Sequence, residues 1–173
     1  MEKSIEIIDD LIEGNKEFIS VYKDELKNHI KGQKPKVAVI TCSDSRVIPE
    51  LIFNKSIGEI FVIRVAGNVA LGESVISSLE YAVDHLKVEL LLFLAHTRCG
   101  AIEASEEEKN YGELFEEIRE GFSKNKDHCL GNLENQLEKI LLRSKIIYNA
   151  VKEDKLKIKG AIYHIETGKV EFL

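Results

Sequence analysis

The sequence predicts an α/β protein with a mostly parallel central β-sheet of about four strands plus a short antiparallel edge strand. Helices flank the sheet, and an N-terminal helical extension precedes it. Three observations carry this expectation. The apolar runs Val37-Ala38-Val39-Ile40 and Leu90-Leu91-Leu92-Phe93-Leu94 end in polar turn-forming segments, the pattern of strands buried on both faces. Stretches of helical periodicity separate the strand-like runs, which calls for crossovers and parallel pairing. Only Thr167-Gly168-Lys169 separates the last two extended stretches, a link short enough for an antiparallel pair alone.

Ile5, Ile8, Leu11 and Ile12 recur at helical spacing, so residues 4–19 should form an amphipathic helix, with a bend or break at Gly14. A second helical piece over 22–30 should end at Lys31-Gly32. After Pro35 come strands at 37–41 and 60–64, the second closed by the turn Ala66-Gly67-Asn68. Val75, Leu79, Ala82, Val83 and Leu86 place a helix over 72–86, before a strand at 89–95. Helices at 111–123 and 132–152, a strand at 157–164 and a short final strand complete the order. No repeat, linker or low-complexity tract divides the chain, so residues 1–173 read as a single domain, with 1–34 as arm and linker and 35–173 as the α/β core.

The 173 residues carry a net charge of −6 and a sequence pI near 5.5, which argues against a nucleic-acid surface. No stretch approaches the roughly 20 apolar residues that cross a membrane, and the charged start Met1-Glu2-Lys3-Ser4-Ile5-Glu6 lacks a signal-peptide core. A cytoplasmic protein is expected. There, three cysteines make poor material for a disulfide framework and better material for metal or catalysis.

Thr41-Cys42-Ser43-Asp44-Ser45-Arg46 and Ala95-His96-Thr97-Arg98-Cys99-Gly100 each follow a buried strand. Open α/β sheets hold their ligands at the carboxyl ends of such strands. Cys42, His96 and Cys99 therefore converge in this reading on a three-ligand zinc site, which keeps a fourth position free for catalysis. Asp44 and Arg46 share the first loop and are placed to govern that position. The residues point to a zinc hydrolase or hydratase. Neither phosphate-binding glycine pattern, G-x-G-x-x-G or G-x-x-x-x-G-K-[ST], follows a strand, which disfavours a nucleotide site.

Cys42-Ser43-Asp44-Ser45-Arg46 with Val47-Ile48-Pro49-Glu50, and His96-Thr97-Arg98-Cys99-Gly100, stand in order on the expected strands. With the weaker echoes Leu11-Ile12-Glu13-Gly14-Asn15, Phe61-Val62-Ile63-Arg64-Val65-Ala66-Gly67-Asn68 and Gly160-Ala161-Ile162-Tyr163, the chain resembles the β-class carbonic anhydrases over nearly its whole length. The resemblance implies one Zn2+ per chain on Cys42, His96 and Cys99, with Asp44 and Arg46 as an active-site pair. It also implies a homodimer or multiple of dimers, in which N-terminal helices wrap the partner. Gln33 matches a glutamine that in the family hydrogen-bonds bicarbonate, and Gly67 and Gly100 would let backbone approach substrate. Ala95, Val65 and His164 depart from the usual residues without removing a ligand. Val39 stands where some members carry a tryptophan of a non-catalytic bicarbonate site, so that mode of inhibition is not expected.

The implied reaction is reversible hydration of carbon dioxide to bicarbonate and a proton by zinc-bound hydroxide. Asp44 would orient the nucleophile, and Arg46 would keep Asp44 ionised. An Asp44 released by Arg46 would close the fourth position instead. Two alternatives use the same residues: hydrolysis of carbon disulfide or carbonyl sulfide, and a non-catalytic zinc-stabilised binding or regulatory module in which Asp44 permanently closes the metal site. Arg98, His29, His85, His164 and the pair His128-Cys129 read as structural or surface residues, and Glu106-Glu107-Glu108-Lys109 as a solvated helix end.

Overall fold

The computed structural model describes residues 2–107 and 111–173. Its chain falls into two compact units, Met1–Gln33 and Lys34–Leu173. The first unit is one continuous helix, α1 (Glu2–His29), so neither the break at Gly14 nor a separate second piece occurs. A lone glycine costs only about 1 kcal/mol inside a helix. The good helix formers around it and the pairs Lys16–Glu13 (2.9 Å) and Lys27–Asp24 (2.7 Å) offset that cost. Ile5, Ile8, Leu11 and Ile12 are 49–67% exposed.

The second unit is built on a five-stranded sheet of order β2-β1-β3-β4-β5. Strand β1 (Val37–Thr41) leads through a short helix, α2 (Pro49–Ile52), to β2 (Ile60–Arg64). Helix α3 (Glu73–Glu80) then runs into a π-helical turn, Tyr81–His85, before β3 (Leu90–His96). Beyond β3 follow α4 (Gly100–Glu106), α5 (Glu113–Gly121), α6 (His128–Arg143) and α7 (Lys145–Lys152). The chain closes with β4 (Lys157–His164) and β5 (Lys169–Phe172). Every pairing is parallel except β4 with β5, as the tight turn between them requires.

Three helical expectations change. The helix expected over 132–152 is two helices that meet at Ser144, whose backbone is extended and whose hydroxyl accepts from Ile147 N–H at 3.1 Å. Serine competes for backbone donors in this way and caps a new helix rather than continuing the old one. The first of these two helices, α6, starts at His128 rather than at 132, because Asp127 caps it by accepting from Cys129 and Leu130 N–H. The helices α2 and α4 are too short to show periodicity and appear only in the structure. Of the expected solvated end, Glu106 closes α4 and pairs with His128 Nδ1 at 2.7 Å, whereas Glu108 and Lys109 lie outside the described residues.

Strand order explains where a site can form. The chain leaves β1 toward β2 on one side and returns to β3 on the other, so the direction of winding reverses between β1 and β3. A crevice opens beyond the carboxyl ends of strands at such a point. Around it, Ile40, Leu91 and Phe93 pack with Leu79, Leu133, Ile140 and Ile147 on one face of the sheet. Val39, Leu92 and Leu94 pack with Val47 and Ala161 on the other. This burial makes β1 and β3 a rigid platform. Helices α5 and α6 also approach closely, since a Cβ on Gly121 would lie 2.6 Å from Asn132 Cα.

Candidate metal centre

Register places the metal-binding candidates together. Thr41 is aligned with Leu94, and its hydroxyl donates to the Leu94 carbonyl at 2.8 Å, tying the ends of β1 and β3. Cys42 leaves β1 one residue later, and His96 is the last residue of β3. Cys99 then caps α4, with its carbonyl accepting from Ile102 and Glu103 N–H at 3.0 Å. As a result Cys42, His96 and Cys99 are all buried, and their donor atoms lie within 4.8 Å of one another. The two sulfurs are 3.9 Å apart.

The electrostatics fit a cation. His96 Nδ1 lies 2.9 Å from the Thr97 carbonyl, an acceptor, so this nitrogen carries the proton and Nε2 presents its lone pair. Nε2 is buried and has no hydrogen-bond partner among the described residues. A buried nitrogen left this way is costly unless something takes its lone pair. The hydrogen bond with Cys99 brings the Cys42 thiol down to about 4, and the Cys42 thiolate together with burial drives the Cys99 thiol well above its usual range. Burial, the largest single influence, opposes charge on His96, but Cys42, the Thr97 carbonyl and Asp44 together raise that imidazole. Two sulfurs and an imidazole, all buried and with Nε2 lacking a partner among the described residues, form a set that suits zinc.

Asp44 and Arg46 are clamped together beside this cluster. Arg46 Nε donates to Oδ1 at 2.9 Å and Nη2 donates to Oδ2 at 2.7 Å, while its backbone N–H reaches Oδ1 at 3.0 Å. The guanidinium holds the Asp44 carboxyl far below the usual carboxylate range. Oδ2 also stands 3.9 Å from His96 Nε2, so the carboxylate faces the metal-binding cluster. Arg46 is steadied in turn by donating to the Arg98 carbonyl at 3.0 Å. Arg98 has a positive φ of 53°, which turns its backbone into the loop while its side chain pairs with Glu166 at 2.6 Å. The structural expectation for Arg98 holds, with its carbonyl as an added contribution.

The remaining candidates fall differently. Gly67 N–H donates to Cys42 Sγ at 3.3 Å, so this glycine meets a metal-binding candidate directly. Its φ is +69°, and a Cβ there would lie 2.8 Å from Ile118 Cδ1, so any side chain would be strained and would push Ile118 aside. Gly100 opens α4 with open space beside it, so crowding within the described chain does not demand glycine there. Gln33 is exposed at the end of the N-terminal unit. His85 stacks on Tyr81, His128 stacks on Phe122, and His164 pairs with Glu171 at 3.4 Å. Cys129 is not one of the clustered donors. Its thiol, pushed up to about 12 by burial, donates to the His96 carbonyl at 3.1 Å.

Two further contributors, Arg64 and Glu166, were not among the candidates. Arg64, the last residue of β2, donates to the Asp44 carbonyl at 2.7 Å and braces the loop from the other side. A charged residue closing an apolar strand was the available signal. Glu166 accepts from the Thr97 hydroxyl at 2.8 Å, which steadies the turn between His96 and Cys99. It is 69 residues from Thr97, so only the β3–β4 pairing reveals it.

A family model described as carbonic anhydrase matches residues 37–170. Carbonic anhydrase 2 of Mycobacterium tuberculosis is 31% identical over 182 aligned residues, covering 92% of this chain and 87% of that protein. A carbonic anhydrase of Helicobacter pylori is 32% identical over 167 residues, covering 80% of this chain and 76% of its own. Among solved structures, the Coccomyxa β-carbonic anhydrase in complex with acetazolamide superposes with a TM-score of 0.82 at 28% identity. That superposition covers 95% of this chain and 85% of the other.

Proposed function

The chain belongs to the β-carbonic anhydrase family, and we propose that it catalyses the zinc-dependent, reversible hydration of carbon dioxide to bicarbonate and a proton. The observation that carries the reading is the buried Cys42, His96 and Cys99 cluster, whose donors lie within 4.8 Å of one another beside a clamped Asp44–Arg46 pair. These three residues would hold the metal. Zinc in such a site supplies a Lewis acid that brings the ionisation of water toward neutral pH.

The chain's own residues supply orientation. Asp44, kept ionised by Arg46, offers Oδ2 as a fixed hydrogen-bond acceptor at the edge of the metal cluster. A nucleophile donating its proton to that oxygen has its lone pair turned away, toward substrate. Arg46, tied to both Asp44 and the Arg98 carbonyl, prevents the carboxylate from rotating inward. This arrangement supports catalysis over a purely regulatory zinc module, which needs Asp44 released. Stopped-flow measurement of carbon dioxide hydration on protein of known zinc content tests the reading. Activity proportional to bound zinc is expected, and zinc-loaded protein without turnover would reject it.

The working unit in this reading is a homodimer, or a multiple of dimers, with residues 1–34 as an arm on the 35–173 core. The exposed stripe Ile5, Ile8, Leu11 and Ile12 supports it, since an apolar face of this kind marks an interface. Gln33 would then contact bicarbonate across that interface. Removing residues 1–20 is expected to leave a smaller assembly of low activity, as weighed by light scattering. A stable and fully active monomer would refute both the interface and the shared site. Among the described residues, no helix is long and apolar enough to cross a membrane. We place the protein in the cytoplasm, where its three free cysteines stay reduced.

A further inference from the structure

We infer that Asn132 is a positioning residue for the metal centre, holding Gly67 so that its N–H stays on the Cys42 sulfur. The inference rests on the zinc reading above. Asn132 is fully buried on α6, and its Nδ2 donates to the Gly67 carbonyl at 2.8 Å. The same glycine donates its own N–H to Cys42 Sγ at 3.3 Å. One residue therefore connects a helix on the far side of the loop to a metal-binding sulfur.

The connection is built rather than incidental. Gln136, one helical turn beyond Asn132, accepts the Ala70 N–H at 2.8 Å, and Arg143 Nη1 donates to the Ala70 carbonyl at 2.7 Å. Helix α6 thus grips the loop at Gly67 and again at Ala70. Glu117 on α5 anchors the gripping side chains. Although only 4% exposed, it accepts from Gln136 at 2.9 Å, from Lys139 at 3.0 Å and from Arg143 at 2.6 Å. With two cations and an amide on one buried carboxylate, its charge is matched and the network is rigid. The close approach of α5 and α6 at Gly121 brings Asn132 under the loop.

Gly67 needs this support because it has freedom to lose. Its φ of +69° is one of several conformations open to glycine, held locally by the turn in which Asn68 N–H donates to the Val65 carbonyl at 2.8 Å and from α6 by Asn132. The held carbonyl lies in the peptide after Gly67, and the N–H on sulfur lies in the peptide before it. Without that anchor, rotation at the Gly67 Cα could turn the N–H away from sulfur. An N–H on a thiolate withdraws electron density that would otherwise go to the metal, and second-layer hydrogen bonds of this kind tune metal centres. Asn132 acts through Gly67 on how strongly Cys42 donates.

Cobalt(II) substituted for zinc reports that donation through its sulfur-to-cobalt charge-transfer absorption. Asn132→Leu keeps a similar volume and removes the donor. Its charge-transfer band is expected to move to lower energy, and kcat to fall roughly tenfold with KM unchanged. Ile140→Val, a buried change on the same helix away from the loop, should leave the band in place. If both variants move it equally, general loosening is the cause and the inference falls. An unmoved band in cobalt-loaded Asn132→Leu overturns it outright. Wild-type protein lacking any sulfur-to-cobalt band would instead overturn the metal reading itself, which separates the two failures. Should Asn132→Leu not fold, Gln136→Met releases the Ala70 N–H at similar side-chain length, and a smaller shift is expected. No shift there would reject the inference.

Discussion

Cys42→Ser is expected to strip most of the zinc from the protein and with it nearly all carbon dioxide hydration. Serine keeps the size of the side chain but replaces a polarisable thiolate with a hydroxyl that stays protonated, and so removes one of three donors. The loss should exceed the roughly 10–100-fold drop in affinity that changes behind the donors produce. Cys129→Ser is the matched control. Cys129 sits close enough to bond the His96 carbonyl, yet it stands outside the donor cluster, so its variant should keep zinc near the wild-type level. Metal analysis after dialysis, with circular dichroism to verify folding, decides between them. Equal zinc in wild type and Cys42→Ser would remove Cys42 from the site.

Arg46→Ala should separate binding from turnover. Zinc content is expected to stay near one per chain while hydration falls roughly 100-fold, the scale of a misplaced reacting group. Arg46 side-chain atoms make two of the three hydrogen bonds that hold the Asp44 carboxylate. Once they are gone, Asp44 can rotate toward the sulfurs and imidazole and occupy space that substrate needs. Arg46→Lys should recover only part of the rate, because a point charge cannot replace a two-pronged guanidinium. The pH dependence follows from the sign of the Asp44 shift. A depressed carboxyl stays ionised above its ordinary value of about 4 and is lost only as pH falls through its lower folded value. Wild-type activity between about pH 6 and 9 should therefore show no step from Asp44. Near-normal turnover in Arg46→Ala would show that the clamp is dispensable.

Much of this site was legible before any coordinates. Cys42, Asp44 and Arg46 follow one buried run, and His96 and Cys99 follow another. A strand that ends in a reactive side chain within an α/β pattern has few other places to put it. The sheet was legible for a related reason, since central parallel strands must be apolar on both faces and so stand out as unbroken runs. Helix boundaries were less so. Ser144 breaks a periodic stretch through a capping bond that periodicity does not register, and the continuity of α1 through Gly14 reflects a cost too small to decide the outcome.

The sequence by itself determined the chemistry: two thiols, an imidazole and a carboxylate–guanidinium pair, all at the carboxyl ends of β1 and β3 or in the segments that follow them. Only the tertiary structure decided how those groups are held. Thr97 meets Glu166 across 69 positions, and Asn132 meets Gly67 across 65, through hydrogen bonds that no local pattern announces. Asparagine, glutamine and glutamate on α5 and α6 read as solvated residues in a sequence. They become a buried support only when the close packing of these helices removes water and leaves each polar group to find its partner within the protein.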